Sequence, residues 1–378
     1  AHLNLGAVLK DLGKLQEAEI SIRKAIEVNP NFTIANLSLG MILESSGKTD
    51  QAKEYYQKAL KIDKEKYVNL LNLYQSLGDF NKFNSLFNKI QSFKTFNDKD
   101  SLILSSKITM NFLVQGKFEM IPSMLKKGLN LIENGTSQKI KDQFIRSQAI
   151  RSLQFINDIY PKLNKSKINL LTRKIPHIGE SHCLSFSHQE ISISNELRIV
   201  QPVWIPNCYA FNFAKIEMNQ YKAFFLNQYK NFSDSKEIFI SFGEIDCRKR
   251  EGIIPHSIKY NKDISKVYKQ TINGYLNYME ENLSKVYSKR YYFGVPAPRI
   301  REKDKLDIVR KLLIKEYNIY LKKEVLLRGS SFVDVYELTA NQNGENNDLY
   351  MCDETHLSPK CLSILFENHL YEPNISII

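Results

Sequence analysis

The sequence predicts two architectures in one chain: an α-solenoid over the first half, then an α/β three-layer domain built on a five-stranded parallel sheet. Three observations predict it. Small and apolar residues recur in the first half with a 34-residue period, short apolar runs alternate with helical stretches from residue 172 onward, and each apolar run ends in a loop rich in reactive side chains. A chain of 378 residues has room for about two or three domains, each with its own core.

Composition narrows the classes. Hydrophobic residues make up 43% and charged residues 25%, the balance of a folded globular chain, and no window approaches the ~20 unbroken apolar residues of a membrane span. The five cysteines (Cys183, Cys208, Cys247, Cys352, Cys361) form no CxxC pair and no zinc-ligand spacing. Their odd number leaves an unpaired thiol, so the expected setting is a reducing, cytoplasmic one. Ala1 already lies within a helical repeat, so a preceding leader segment is compatible with this sequence. The net charge of +12 is concentrated early: residues 1–171 carry 25 basic and 16 acidic side chains, residues 172–378 carry 28 and 25. The surplus is spread as single lysines on polar helix faces without interleaved aromatics, which argues against nucleic acid as partner.

Leu5, Gly6, Gly13, Ala18, Ile22 and Ala25 recur as Leu39, Gly40, Gly47, Ala52, Tyr56 and Ala59, while Pro30 is replaced by Lys64. Small residues where two helices cross and a glycine between them resemble the tetratricopeptide repeat. A shorter copy runs from Leu70 through Gly78, Phe83, Phe87 and Ile90, and Ile108, Gly116, Ile121, Leu125 and Gly128 form a weaker fourth, so residues 1–135 are expected to be repeats that degenerate after 63. Stacked helix pairs bury their apolar faces against each other and leave a concave surface. That groove predicts a protein or peptide partner; a rigid spacer is the alternative. Residues 136–171 are expected to be a closing helix ending at Tyr160-Pro161 and a basic linker over 162–167.

In residues 172–378, strands are expected at 174–179, 197–203, 237–242, 290–295 and 331–335, with helices near 210–230, 260–286, 302–327 and 357–369. This order suggests a flavodoxin-like doubly wound sheet, in which ligands sit beyond the carboxyl ends of the strands. Those ends carry Gly179-Glu180-Ser181-His182, Pro206-Asn207, Gly243-Glu244-Ile245-Asp246-Cys247-Arg248, Pro296 to Arg299, and Asp353-Glu354-Thr355-His356.

This set resembles the SGNH, or GDSL-like, hydrolases over about residues 173–370. Gly179-Glu180-Ser181 matches the family's Gly-Asp-Ser turn with Glu180 in place of aspartate, and Asp353 and His356 match its Asp-x-x-His block. The resemblance implies Ser181 as nucleophile, His356 as base and Asp353 as the residue that orients it. Two blocks depart. Asn207 stands near the expected oxyanion glycine, and the block beginning at Gly243 has Ile245 where the family has an asparagine amide donor. Loss of one such donor typically costs on the order of 10²–10³ in rate. Arg248 is the candidate substitute, since a guanidinium offers fixed donors and a permanent charge. Glu180, Glu244 and Asp246 are expected to support the site, the last two by bracing the first-strand turn.

Each residue also has an ordinary structural reading. Ser181 and Asp353 suit helix caps, His356 a surface histidine, and Arg248 belongs to a run of charges. His182, Asp246 and His356 lack the spacing of a metal site, Cys183 is a less well placed nucleophile than Ser181, and Trp204 and Tyr209 suit a sugar ring or the core. No metal and no cofactor are expected. The expected function is a serine esterase or O-acyltransferase acting on an acylated small molecule or, preferentially, on a glycan. The alternative is a catalytically weak SGNH-like binding module or a repeat scaffold.

Overall fold

The computed structural model describes residues 2–11, 13–62, 71, 74, 80–91, 97–163, 165, 173–229, 232, 234–302 and 304–373. They form two compact units: residues 1–104 with 217–228, and residues 105–216 with 229–378.

In the first unit, α1 (His2–Asp11) pairs with α2 (Leu15–Val28), and α3 (Thr33–Ser45) pairs with α4 (Thr49–Ile62). Both turns need a left-handed residue, and Gly13 and Gly47 supply it at the same φ of 77°. The helix before each turn closes alike, with bonds from Gly13 N to Lys10 O and from Gly47 N to Glu44 O. Ala18, Ile22 and Ala25 are buried, as are Ala52, Tyr56 and Ala59 one period later. At the second crossing a methyl on Gly40 would meet the Tyr56 ring at 2.6 Å, which is why the period places a glycine there. α5 (Phe80–Gln91) buries Phe83. Of the expected third copy, Leu70, Gly78 and the Ile90 side chain lie outside the described residues, as does most of the 162–171 linker.

The second unit begins within α6 (Asp98–Gln115) and continues through α7 (Ile121–Glu133) and α8 (Gln143–Ile159). Of these, α6 packs on the α/β part. The His188 Nε2 faces the carbonyls of Leu113 and Val114 at 3.2 and 3.1 Å, and Gln201 donates to Val114 O at 3.2 Å.

The sheet has seven strands: β1 (Arg173–Gly179), β2 (Glu190–Ile193), β3 (Glu196–Trp204), β4 (Glu237–Ser241), β5 (Lys289–Phe293), β6 (Ser331–Val333) and β7 (Leu370–Tyr371). Their order is β2-β3-β1-β4-β5-β6-β7. The expected five-stranded parallel sheet is therefore corrected to a mixed one. The pairs from β3 to β6 are parallel, and β2 and β7 add antiparallel edges. The β2–β3 hairpin turns on Ser194 and Asn195, both at positive φ, which suits a two-residue connection. Central strands buried on both faces read as unbroken apolar runs, whereas β2 alternates and β7 has only two residues, so neither edge carries that signal.

The remaining helices are α9 (Ala210–Ala214), α10 (Gln220–Tyr229), α11 (Ile253–Tyr260), α12 (Ile264–Leu283), α13 (Lys305–Leu327), α14 (Val335–Thr339) and α15 (Cys361–Asn368). The single helix expected over 210–230 is two, α9 and α10. Asp263 and Asp304 cap the two longest, accepting bonds from Lys266 N and Asp307 N. Ile175, Val200, Phe239, Tyr291 and Val333 from five neighbouring strands meet Leu362 and Leu365 of α15 in one core.

Candidate functional site

The site grows from the carboxyl ends of β1, β3 and β4. Ile205 N donates to Gly179 O at 2.8 Å and Glu180 N donates to Ser241 O at 3.2 Å, so the chain leaves β1 as a turn held by both neighbours. A short 3₁₀ helix (Ser181–Phe186) follows, with the Glu180 side chain accepting from His182 N. Ser181 opens that helix, and its own N–H makes no hydrogen bond to a described residue.

The last-block loop meets this turn. The Ser181 Oγ lies 2.9 Å from His356 Nε2, and His356 Nδ1 lies 2.7 Å from Asp353 Oδ2. A carboxylate only accepts, so Nδ1 carries the proton and Nε2 offers its lone pair to the serine hydroxyl. Asp353 Oδ1 also accepts from the N–H groups of Thr355 and His356, at 2.7 Å each, which folds residues 353–356 into the turn that presents both side chains. Burial acts to raise the Asp353 pKa. The hydrogen bond and charge of His356 and the two N–H donors outweigh it and hold the carboxyl below the usual carboxylate range.

A second acid–histidine pair lies beside the first. His182 Nδ1 is 2.8 Å from Glu180 Oε1, His182 Nε2 is 2.8 Å from Thr355 O, and its ring centroid is 5.1 Å from that of His356. Burial would lower the His182 pKa, but the charge and hydrogen bond of Glu180, the charge of Glu244 and the Thr355 carbonyl raise it to about 9. Glu180 Oε2 also accepts from Ser181 Oγ at 3.1 Å.

The third block is arranged differently from expectation. Glu244 and Asp246 do not bond the first-strand turn. Asp246 accepts from Ala210 N and Phe211 N at 2.7 and 3.1 Å, tying its block to the segment after Asn207, and burial raises its pKa to about 6 against those bonds. Glu244 pairs with Arg248 at 2.7 Å and faces Arg310 at 3.6 Å. Burial opposes its charge, yet Arg248, His182 and Arg310 hold its pKa below the usual carboxylate range. Arg248 directs Nε and Nη2 to Glu244 Oε2 and Nη1 to Glu251 Oε2, so each of its three nitrogens meets a carboxylate. Asn207, exposed and at a φ of 56°, follows β3 two residues past Ile205, and Gly243 follows β4 two residues past Ser241.

Two further features have no sequence motif. The Phe155 ring of α8 lies 4.4 Å from the His356 ring, and Lys162 Nζ donates to Cys352 O at 2.9 Å, so the helix expected to close the repeats walls the last-block loop. Only the apolar periodicity of α8 signalled a buried face, without saying what it covers. Among the described residues one acidic cluster, Glu302, Asp304 and Asp307, has the spacing to hold a cation, and Lys249 Nζ already sits about 3 Å from all three. Burial pushes the Cys183 thiol well above its ordinary pKa, which leaves it a poor nucleophile beside Ser181.

The buried His177 of β1 stacks on Phe293, with burial first and the charge of His182 second lowering its pKa to about 3. Its ordinary pKa is about 6.5, so between these values the unfolded chain binds the extra proton and stability falls as pH drops below about 6.5. His188, lowered to about 4 mainly by burial, acts in the same sense, while Asp246 acts in the opposite one. Thermal unfolding of His177→Asn across this window is expected to show a shallower acid loss than the parent; an unchanged slope would assign the loss elsewhere.

A family model of the tetratricopeptide repeat matches residues 1–32 and 34–66. Residues 1–66 thus carry two such repeats, whose stacked helices support a protein-interaction role for this region. No curated protein matches the chain. Among the described residues no helix is long and apolar enough to cross a membrane.

Proposed function

We propose that the second unit is an SGNH-type serine hydrolase or O-acyltransferase. The observation that carries this reading is the unbroken relay from Ser181 Oγ through the His356 ring to Asp353, at 2.9 and 2.7 Å. His356 Nε2 takes the serine proton as Oγ attacks an ester carbonyl, and then returns it to the departing alcohol. Water or a sugar hydroxyl, deprotonated by the same nitrogen, releases the acyl group. The Ser181 N–H, which bonds no described residue, and Asn207 are the proposed oxyanion donors, with Arg248 serving as counter-charge to Glu244. The parallel strands run in the order β3-β1-β4-β5-β6, and the placement of both blocks at their carboxyl edge supports the reading. The acyl ester is proposed to be carried on a glycan, and the repeats to hold a protein or peptide partner.

The test is turnover of p-nitrophenyl acetate by the full chain and by Asp353→Asn. Asparagine keeps an acceptor but favours the wrong tautomer of His356, so kcat is expected to drop by roughly 10⁴-fold. Equal turnover by the two proteins would remove Asp353 from the relay. One observation favours a second reading, a binding module without turnover: Glu180 Oε2, 3.1 Å from Ser181 Oγ, competes for the serine proton.

A further inference from the structure

We propose that Glu180 and His182 form a buried ion-pair latch that fixes the Asp353–His356 loop against the serine turn, which makes His182 a positioning residue of the site. The inference rests on the reading of Ser181, His356 and Asp353 as a hydrolytic relay.

The geometry is a chain of contacts between two loops far apart in sequence. Glu180 leaves β1 and is almost wholly buried, and so is His182. One imidazole nitrogen meets the Glu180 carboxylate and the other meets the Thr355 carbonyl, each at 2.8 Å. Both partners are acceptors, so both nitrogens must carry protons for both bonds to exist, and the ring is an imidazolium. Thr355 directly precedes His356. A hydrogen bond to its carbonyl therefore sets the height of the catalytic histidine over Ser181, without His182 touching the reacting atoms.

The latch has a second effect. Glu180 Oε2 accepts from His182 N and lies within reach of the serine hydroxyl. An imidazolium on the other oxygen neutralises the carboxylate and weakens its hold on the serine proton, leaving that proton to His356. Loss of the His182 charge removes both effects together: the loop loses its tie, and Glu180 becomes the stronger rival acceptor.

Titratable groups face His182 from several elements. From its own turn comes Glu180; from the β4 block comes Glu244, held by Arg248 and Arg310; from β1 comes the neutral His177; from the last-block loop come His356 with Asp353. The two acids nearest the ring favour the cation, and the resulting pKa of about 9 places the loss of the latch on the alkaline side.

Two measurements on the full chain test this. The first is the pH dependence of kcat and KM for p-nitrophenyl acetate, for the parent, His182→Gln and Glu180→Gln. The parent is expected to lose kcat as pH rises through about 9. His182→Gln is expected to lose that alkaline limb and to lower kcat at neutral pH by on the order of 10²-fold with KM little changed, since a small misplacement of the base has that effect. In Glu180→Gln the limb should move toward neutral pH. A His182→Gln variant with parental kcat and the parental alkaline limb would overturn the latch. The second measurement is an NMR titration of the seven histidines in the parent protein, which needs neither a folded variant nor turnover. One ring is expected to stay doubly protonated up to a midpoint near 9. Absence of any histidine titrating above about 8 would overturn the proposal even if esters are hydrolysed. A chain that shows the titration and hydrolyses no ester would keep the ion pair and sink the hydrolytic reading instead.

Discussion

Replacing Ser181 with alanine is expected to lower ester turnover by at least about 10⁴-fold while the protein unfolds at the parental temperature. The size of the effect follows from the absence of a stand-in. His356 Nε2 faces Ser181 Oγ, and the nearby Cys183 thiol is buried with its pKa raised, so among the described residues no second oxygen or sulfur is hydrogen-bonded to that nitrogen. Stability should hold because the hydroxyl's hydrogen bonds among the described residues are to His356 and Glu180, at a partly open position. Undiminished turnover in the variant would mean that another nucleophile acts. A large fall in unfolding temperature would mean that the hydroxyl is structural.

The second large effect is expected at Gly179, the last residue of β1. A methyl there would stand 2.5 Å from the carbonyl oxygen of Ser241 on β4, and would collide with the Ser241 hydroxyl and press on Cys183. A backbone oxygen fixed by the sheet cannot swing aside, so Gly179→Ala forces β1 and β4 apart where the serine turn begins. Overpacking of this kind costs about 1–3 kcal/mol, and here it also displaces Ser181 from His356, where a shift near 1 Å lowers rate by about 10²-fold. Both losses should appear together, a lower unfolding temperature and a lower kcat. A variant with parental values of both would show that the strand ends are more yielding than this packing implies.

These two positions were legible in the sequence because their signals are local. Gly179-Glu180-Ser181 and Asp353 to His356 are short strings whose spacing alone presents the side chains. The period that places Gly40 opposite Tyr56 is equally local, since a repeat copies its crossing residues. What escaped the sequence depends on contacts between distant segments. Arg248 offers donors in any fold, and only the fold reveals that buried Glu244 takes them. His182 has no motif as a positioning residue, because its role needs the Thr355 carbonyl 173 positions away. Phe155 looked like one more apolar position of a closing helix, and its neighbour His356 lies 201 residues further on. The edge strands β2 and β7 were missed for another reason: they are too short, and too exposed on one face, to write an apolar run.

Activation of the Ser181 hydroxyl by His356 can be read out by reacting the full chain with a fluorophosphonate and locating the adduct by peptide mass spectrometry. A single phosphonyl group on the peptide containing Ser181 is expected, formed rapidly in the parent and lost in His356→Ala. An intact protein that takes up no label, or takes it up equally fast without His356, would show that Ser181 is not a nucleophile activated by His356.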